Sequence, residues 1–154
     1  PRDVESAEGI TDDFVTKLIR ACRRNYDFVI IDLPTVIDEN TYVALEESDL
    51  IYYVINADTP SLQVFKNVEA LFQRLNIETE KRLELVVNQS GRDNELKSSD
   101  LKSFVRHPLA VEIRRDLKGI QALLNHGQPL RKEQNEKRLT PVAKDVRKWV
   151  QSII

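Results

Sequence analysis

Glycine, cysteine and long apolar runs are scarce in this chain, and each shortage removes a class of answers. Its four glycines stand at positions 9, 91, 119 and 127. No Gly-x-x-x-x-Gly-Lys-Ser/Thr stretch can be built from them, so residues 1–154 hold no loop of backbone amides and lysine of the kind that cradles phosphates. Cys22 is the only cysteine, which excludes an intrachain disulfide and suits a reducing compartment. It falls on an apolar helical stripe, the setting of a structural thiol rather than a nucleophile. No run approaches the ~18 apolar residues that span a bilayer, and no signal-peptide pattern is present. His107 and His126 are far apart and lack Cys or carboxylates at ligand spacing, so no zinc site is indicated. Ser48, Ser61 and Ser90 lack the Gly-x-Ser-x-Gly surroundings of a nucleophile elbow.

Neither sign of charge dominates. The net charge of −2 gives no domain-wide basic balance, and nucleic acid is not an expected partner. With 41% hydrophobic and 31% charged residues over 154 positions, the chain can bury a real core within one domain. It begins at Pro1 without an initiator methionine, and we expect it to be a piece of something longer.

One stretch organises the rest: Tyr26-Asp27-Phe28-Val29-Ile30-Ile31-Asp32-Leu33-Pro34. Its uninterrupted apolar run predicts a strand buried on both faces of a parallel sheet. Asp32 then stands at the strand's carboxyl end, the edge where ligands bind in open α/β sheets. A strand-end Asp is the usual magnesium holder in P-loop proteins; an Asp there is also a common helix cap or turn former.

Taken in order, residues 1–10 read as polar and irregular. Thr11 caps a helix with Asp12 and Asp13 in its first turn. That helix buries Phe14, Val15, Leu18, Ile19 and Cys22 on a sheet and turns Lys17, Arg20, Arg23 and Arg24 to solvent. A helix from about Glu39 to Glu47 follows the central stretch, then a strand from Leu50 to Ile55. Thr59-Pro60 opens a helix with threonine as cap and proline in the first turn; Leu62, Phe65, Val68, Phe72 and Leu75 mark its buried stripe, and Asn76 closes it. Leu83 to Asn88 reads as a third strand. Ser99 caps a short helix that ends before His107-Pro108, and Ala110 to Ile113 reads as a fourth strand. The next helix holds Leu117, Ile120, Ala122, Leu123 and Leu124 and is finished by Gly127 and Pro129. After a polar stretch from Arg131 to Arg138, Thr140-Pro141 starts a terminal helix with Val142, Val146, Trp149, Val150 and Ile153 on one face. Lys144, Arg147 and Lys148 would also let that helix lie on a membrane surface, although an apolar stripe on a final helix ordinarily closes a core.

Strand and helix alternate through most of the chain, which predicts an α/β domain, a mostly parallel sheet with helices on both faces and right-handed crossovers. The segments 32–37, 56–59, 88–97 and 114–116 all follow strands and should line one edge together.

These residues carry a family resemblance. The stretch Tyr26 to Pro34, Ser48-Asp49 before an apolar strand, Thr59-Pro60-Ser61 opening a helix, Val86-Val87-Asn88, and Glu112-Ile113-Arg114-Arg115-Asp116 followed by Asn125-His126-Gly127-Gln128-Pro129-Leu130 resemble the later two thirds of a MinD/ParA-type P-loop ATPase. Within that superfamily the chain is most similar to the CpaE/TadZ branch, associated with localising tight-adherence pilus machinery. The resemblance implies a P-loop NTPase-like fold missing its N-terminal P-loop portion, with residues 1–154 as the C-terminal part of a single ATPase-like domain. It implies ATP and Mg2+ as cofactors of the longer protein and homodimerisation. It also implies pilus or secretion machinery as partners and a cytoplasmic location, peripheral at the membrane or cell pole.

Position by position, Asp32 matches the Walker B aspartate, the one catalytic and metal-binding residue the resemblance assigns, which holds magnesium through water. Pro34, with Thr35, falls in the segment that senses the terminal phosphate. Asn88 matches the asparagine that reads the adenine edge with an amide that both donates and accepts. Arg114 and Asp116 match the segment flanking the base. The departures are as informative. There is no phosphate loop, Arg114 stands where many relatives carry proline, and no glycine follows Pro34. Residues 1–154 alone should bind ATP poorly and not hydrolyse it. Two alternatives stay open: a non-catalytic scaffold that keeps the fold for protein contacts, and a DNA-partitioning relative.

Overall fold

The computed structural model describes residues 10–130 and 139–154; the polar stretches expected at 1–9 and 131–138 lie outside these residues. The described elements are α1 (Asp12–Asn25), α2 (Glu39–Glu47), β1 (Ile51–Asn56), α3 (Thr59–Arg74), β2 (Leu83–Ser90), α4 (Ser98–Phe104), β3 (Leu109–Arg114), α5 (Leu117–Asn125) and α6 (Pro141–Ile153).

The sheet has three strands in the order β1-β2-β3, and both pairings are parallel. Because alternate residues of a strand face opposite ways, Ile51, Tyr53 and Ile55 look to one side with Leu83, Leu85 and Val87. There they meet Phe65, whose ring lies edge-on to Tyr53 at 4.9 Å between centroids. The core gathers on this side: Leu62, Phe65 and Phe72 of α3 join Leu101 and Val105 beside α4, and Phe65, Leu83, Leu85, Val87 and Leu101 are fully buried. On the opposite side Tyr52 meets Trp149 of α6, edge-on at 4.9 Å. Helices therefore cover both faces, as the alternation predicts.

Local chemistry sets most boundaries. Thr11 caps α1 by accepting from the Phe14 amide at 3.3 Å. Asp38 caps α2 by accepting from the Thr41 amide at 2.8 Å. Helix α3 ends in a left-handed turn at Asn76 (φ 56°), where the Ile77 amide reaches back to the Phe72 carbonyl at 2.9 Å, the closing pattern in which Asn or Gly is favoured. Gly127 (φ 58°) does the same for α5, with the Gln128 amide on the Leu123 carbonyl at 2.9 Å.

Several expectations are corrected. The caps of α3 and α4 are Asp58 and Lys97, not Thr59 and Ser99. Helix α1 packs on α2 rather than on a sheet. Its Ile19 is buried, but Phe14 and Leu18 stay about half exposed. Its basic face is not merely solvated: Arg20 forms a two-pronged bond to Glu47 (2.6–3.1 Å), and Arg23 pairs with Asp49 at 2.6 Å. The apolar stripe of α5 is only partly covered in the described chain: Ile120 and Leu123 are half-buried, and Leu117 and Leu124 are exposed.

The largest correction concerns Phe28 to Ile31. This run forms no ladder with another strand, and Ile30 is 95% exposed. Its composition is that of a buried strand, yet an extended segment becomes one only when neighbours take its amides and carbonyls. The free edge of β1 matches this run: among the described residues β1 pairs with β2 alone, and Val54 of β1 is 60% exposed.

Candidate functional site

The parallel register pairs Asn56 with Asn88 and Ser90 with Arg114. The carboxyl ends of all three strands thus reach one edge of the sheet, and the segments 56–59, 88–97 and 114–116 meet there as expected. This is the position at which open α/β sheets bind ligands.

Hydrogen bonds stitch the rim together. Asp58 accepts from the Ser61 amide at 2.8 Å and caps α3. Glu95 accepts from the Thr59 amide at 3.1 Å and from the Thr59 hydroxyl; these two bonds hold its carboxyl below the usual range. The Leu96 amide donates to the Ala57 carbonyl at 3.1 Å, so the loop after β2 is sewn onto the end of β1. On the other side the Arg115 amide donates to the Ser90 carbonyl at 2.8 Å.

Asn88 lies at this rim, half-buried. The β2–β3 pairing is irregular between Val87 and Ser90, and Gln89 takes a left-handed conformation at φ 51°. An extra residue of this kind bends a strand and re-aims its side chains, and such bulges concentrate beside functional sites. The Asn88 Oδ1 accepts from the Gln89 amide at 2.9 Å, which fixes the side-chain amide. No pattern in the sequence announced the bulge, because Gln has no preference for positive φ.

Arg114 is engaged within the chain. Its guanidinium forms a fork with Asp145 of α6 at 2.8–3.2 Å, and its amide donates to the same carboxylate at 3.0 Å. Burial pushes the Asp145 carboxyl up, but the bonds and charge from Arg114 outweigh it and leave the carboxyl below its ordinary value. Arg114 thereby fastens α6 to the end of β3. Sequence reading missed Asp145, which sits among Lys144, Arg147 and Lys148 like any solvated helix residue. Asp116 caps α5: its Oδ1 accepts from the Gly119 amide at 3.0 Å, while Oδ2 is buried with no hydrogen-bond partner.

Asp32 is exposed on the segment that forms no ladder. Leu33 just after it packs against the core together with Ile37, which ties the segment to the domain; Pro34 is exposed. Among the described residues no group of three His, Cys, Asp or Glu side chains could hold a metal ion. The sequence holds no phosphate loop, and Arg114 is committed to Asp145.

No protein-family model matches the sequence. Over 126 residues the chain is 25% identical to a protein of Emiliania huxleyi that carries the name septum site-determining protein MinD, a match spanning 79% of this chain and 45% of that one. Its structure is similar to a ParA family ATPase from Chlorobium tepidum TLS (TM-score 0.85, 22% identity, 98% of this chain and 61% of that chain). It is also similar to MinD of Pyrococcus horikoshii OT3 complexed with Mg-ADP (TM-score 0.77, 18% identity, 98% and 60%) and to the MinC:MinD complex of Aquifex aeolicus (TM-score 0.76, 18% identity, 94% and 59%). The chain thus spans about half the length of the curated relative and about three fifths of the solved structures. A parallel sheet with helices on both faces, superposing on these structures along nearly its whole length, gives the chain the P-loop NTPase-like α/β fold of the ParA and MinD ATPases.

Proposed function

We propose that residues 1–154 are the C-terminal part of a MinD/ParA-like ATPase domain and form its base-flanking rim, the phosphate loop being carried elsewhere in a longer protein. In that protein Asp32 is the magnesium-holding aspartate, Pro34 belongs to the segment that responds to the terminal phosphate, Asn88 reads the adenine edge, and Arg114 and Asp116 border the base. The longer protein binds ATP with Mg2+, dimerises, and positions pilus or secretion machinery at the membrane or cell pole from the cytoplasm, in the manner of the CpaE/TadZ branch. Among the described residues no helix is long and apolar enough to cross a membrane.

The observation that supports this reading best is the pairing of a complete rim with an incomplete sheet. Three parallel strand ends bring Asn88 and Arg114 to Asp116 together, while among the described residues β1 keeps a free edge and Phe28 to Ile31 form no ladder and are exposed. A strand inserted between them would satisfy both edges at once and would bring its own carboxyl-end loop to the rim.

A second reading, a non-catalytic scaffold of the same fold, draws on the engagement of Arg114 with Asp145. Nucleotide binding and hydrolysis by the longer protein, with and without Asp32→Ala, separate the two. Saturable Mg-ATP binding and turnover that Asp32→Ala abolishes support the ATPase. Equal behaviour of both proteins removes the metal role of Asp32, and absence of nucleotide binding favours the scaffold.

A further inference from the structure

At the end of the domain away from the rim, α3 and the end of α4 enclose an open cleft of about 430 Å3 lined by Lys66, Glu69, Gln73, Phe104 and Arg106. Helix α3 starts at the rim beside the end of β1, and Glu69 lies roughly ten residues further on, about 15 Å away at the helical rise. His107, next to the cleft, precedes the first residue of β3. The cleft is therefore separate from the candidate nucleotide rim.

Its chemistry is uneven. The Glu69 carboxylate is engaged by His107, Nε2 to Oε1 at 3.0 Å, and that imidazole is nearly buried, edge-on to the Phe65 ring at 6.0 Å between centroids. The acid of the cleft is thus turned inward toward the core. The cations are not: Lys66 and Arg106 are exposed and form no ion pair among the described residues. The Lys66 ammonium stands 5.8 Å above the Phe104 ring centroid, a cation–π distance that holds the charge beside an apolar plate. Phe104 itself is 53% exposed. Two uncommitted cations, an amide and an exposed aromatic ring complement a carboxylate with an apolar neighbour.

We propose that this cleft is a docking site for an acidic peptide segment of a partner protein, its carboxylates meeting Lys66 and Arg106 and an adjacent apolar side chain covering Phe104. A peptide is favoured over a lone anion because half of the cleft's recognition is the ring face, which inorganic phosphate cannot use. Docking here leaves the rim open, so the inference stands apart from the nucleotide reading.

The test is fluorescence anisotropy on the longer protein with a fluorescein-labelled peptide of alternating glutamate and phenylalanine. The control peptide has lysine in place of glutamate. We expect saturable binding of the acidic peptide only, weakened about tenfold by Lys66→Glu with Arg106→Glu, as two solvent-open ion pairs warrant. Phe104→Ala should weaken it as well, and raised salt should too. Asn88→Ala at the rim should leave it unchanged, with circular dichroism verifying that each variant is folded. Absence of saturable binding, or binding indifferent to the charge reversals, overturns the proposal. So does full competition by inorganic phosphate or by vesicles of phosphatidylcholine and phosphatidylglycerol, which would make the site a general anion site.

Discussion

Replacing Gly119 by alanine should reveal how the Asp116 corner of the rim is held. A Cβ built on Gly119 would lie 2.6 Å from Oδ2 of Asp116 and 2.8 Å from both Cγ and Oδ1, well inside contact distance. The carboxylate would have to swing away, losing the 3.0 Å bond from the Gly119 amide that caps α5. Loss of an N-cap costs about 1 kcal/mol. In the other direction, alanine is a better helix former than glycine by up to about 1 kcal/mol. In the native background the two effects oppose, and the steric term tips Gly119→Ala to neutral or destabilising. Once Asp116→Ala has removed the carboxylate, the same substitution should stabilise. Urea unfolding of the four proteins of this cycle, analysed by linear extrapolation with matched slopes, should give a coupling of about 1–2 kcal/mol. Hydrogen exchange of the α5 amides reports the same change locally. If Gly119→Ala shifts stability equally in both backgrounds, the inferred contact between Cβ and carboxylate is wrong.

Other substitutions probe the frame around the rim. Gln89→Gly should stabilise by about 1 kcal/mol by relieving the left-handed conformation of a residue with a Cβ, seen as a higher denaturation midpoint. Asp145→Asn should destabilise by about 1 kcal/mol at neutral pH, the half-exposed guanidinium screening the pair. Because the Asp145 carboxyl sits below its ordinary value in the folded chain, its contribution is present above about pH 4 and is lost as pH falls through the folded value. The native and Asp145→Asn melting curves should converge in acid. Phe65→Ala removes a fully buried ring packed on Tyr53 and His107. It should cost about 3–5 kcal/mol, a large part of a typical domain's stability, read as a much lower melting temperature.

What could be read from the sequence was whatever depends on neighbours close along the chain or on a repeated period. The α3 stripe, the apolar strands β1 and β2, the cap at Thr11, the start of α6 at Thr140-Pro141, and the stops at Asn76 and Gly127 follow from side-chain spacing and backbone preference, and the parallel order follows from their alternation. Asn88, Arg114 and Asp116 reach one edge because they end or follow strands, and strand ends share an edge in a parallel sheet; their roles as site residues came from the resemblance alone. What could not be read depends on a partner distant in sequence or outside the chain. Asp145 looks like a surface acid until α6 is laid beside β3. Phe28 to Ile31 have the pattern of a buried strand, and pattern records the demand for neighbours without supplying them.

The polar groups of the rim are largely spent on one another. Asp58 and Asp116 close helix ends, Glu95 holds Thr59, Arg114 holds Asp145, and Asn88 braces the bulge at Gln89. Where donors and acceptors are already matched, little is gained by exchanging them for a ligand's, and the geometry is presented without further ordering; Oδ2 of Asp116 and Oδ1 of Asn94 are the buried rim atoms left without a partner among the described residues. In the proposed reading such a rim borders a bound base, and the polyphosphate is captured elsewhere. Phosphate affinity in this fold rests on a row of amides and a lysine, and the glycines of this sequence, at positions 9, 91, 119 and 127, stand too far apart to make one. The same division explains why the rim is well formed although the sheet beside it is open. The rim contacts described above close within residues 56–145, whereas the free edge of β1 and the run from Phe28 to Ile31 find no ladder partner among the described residues.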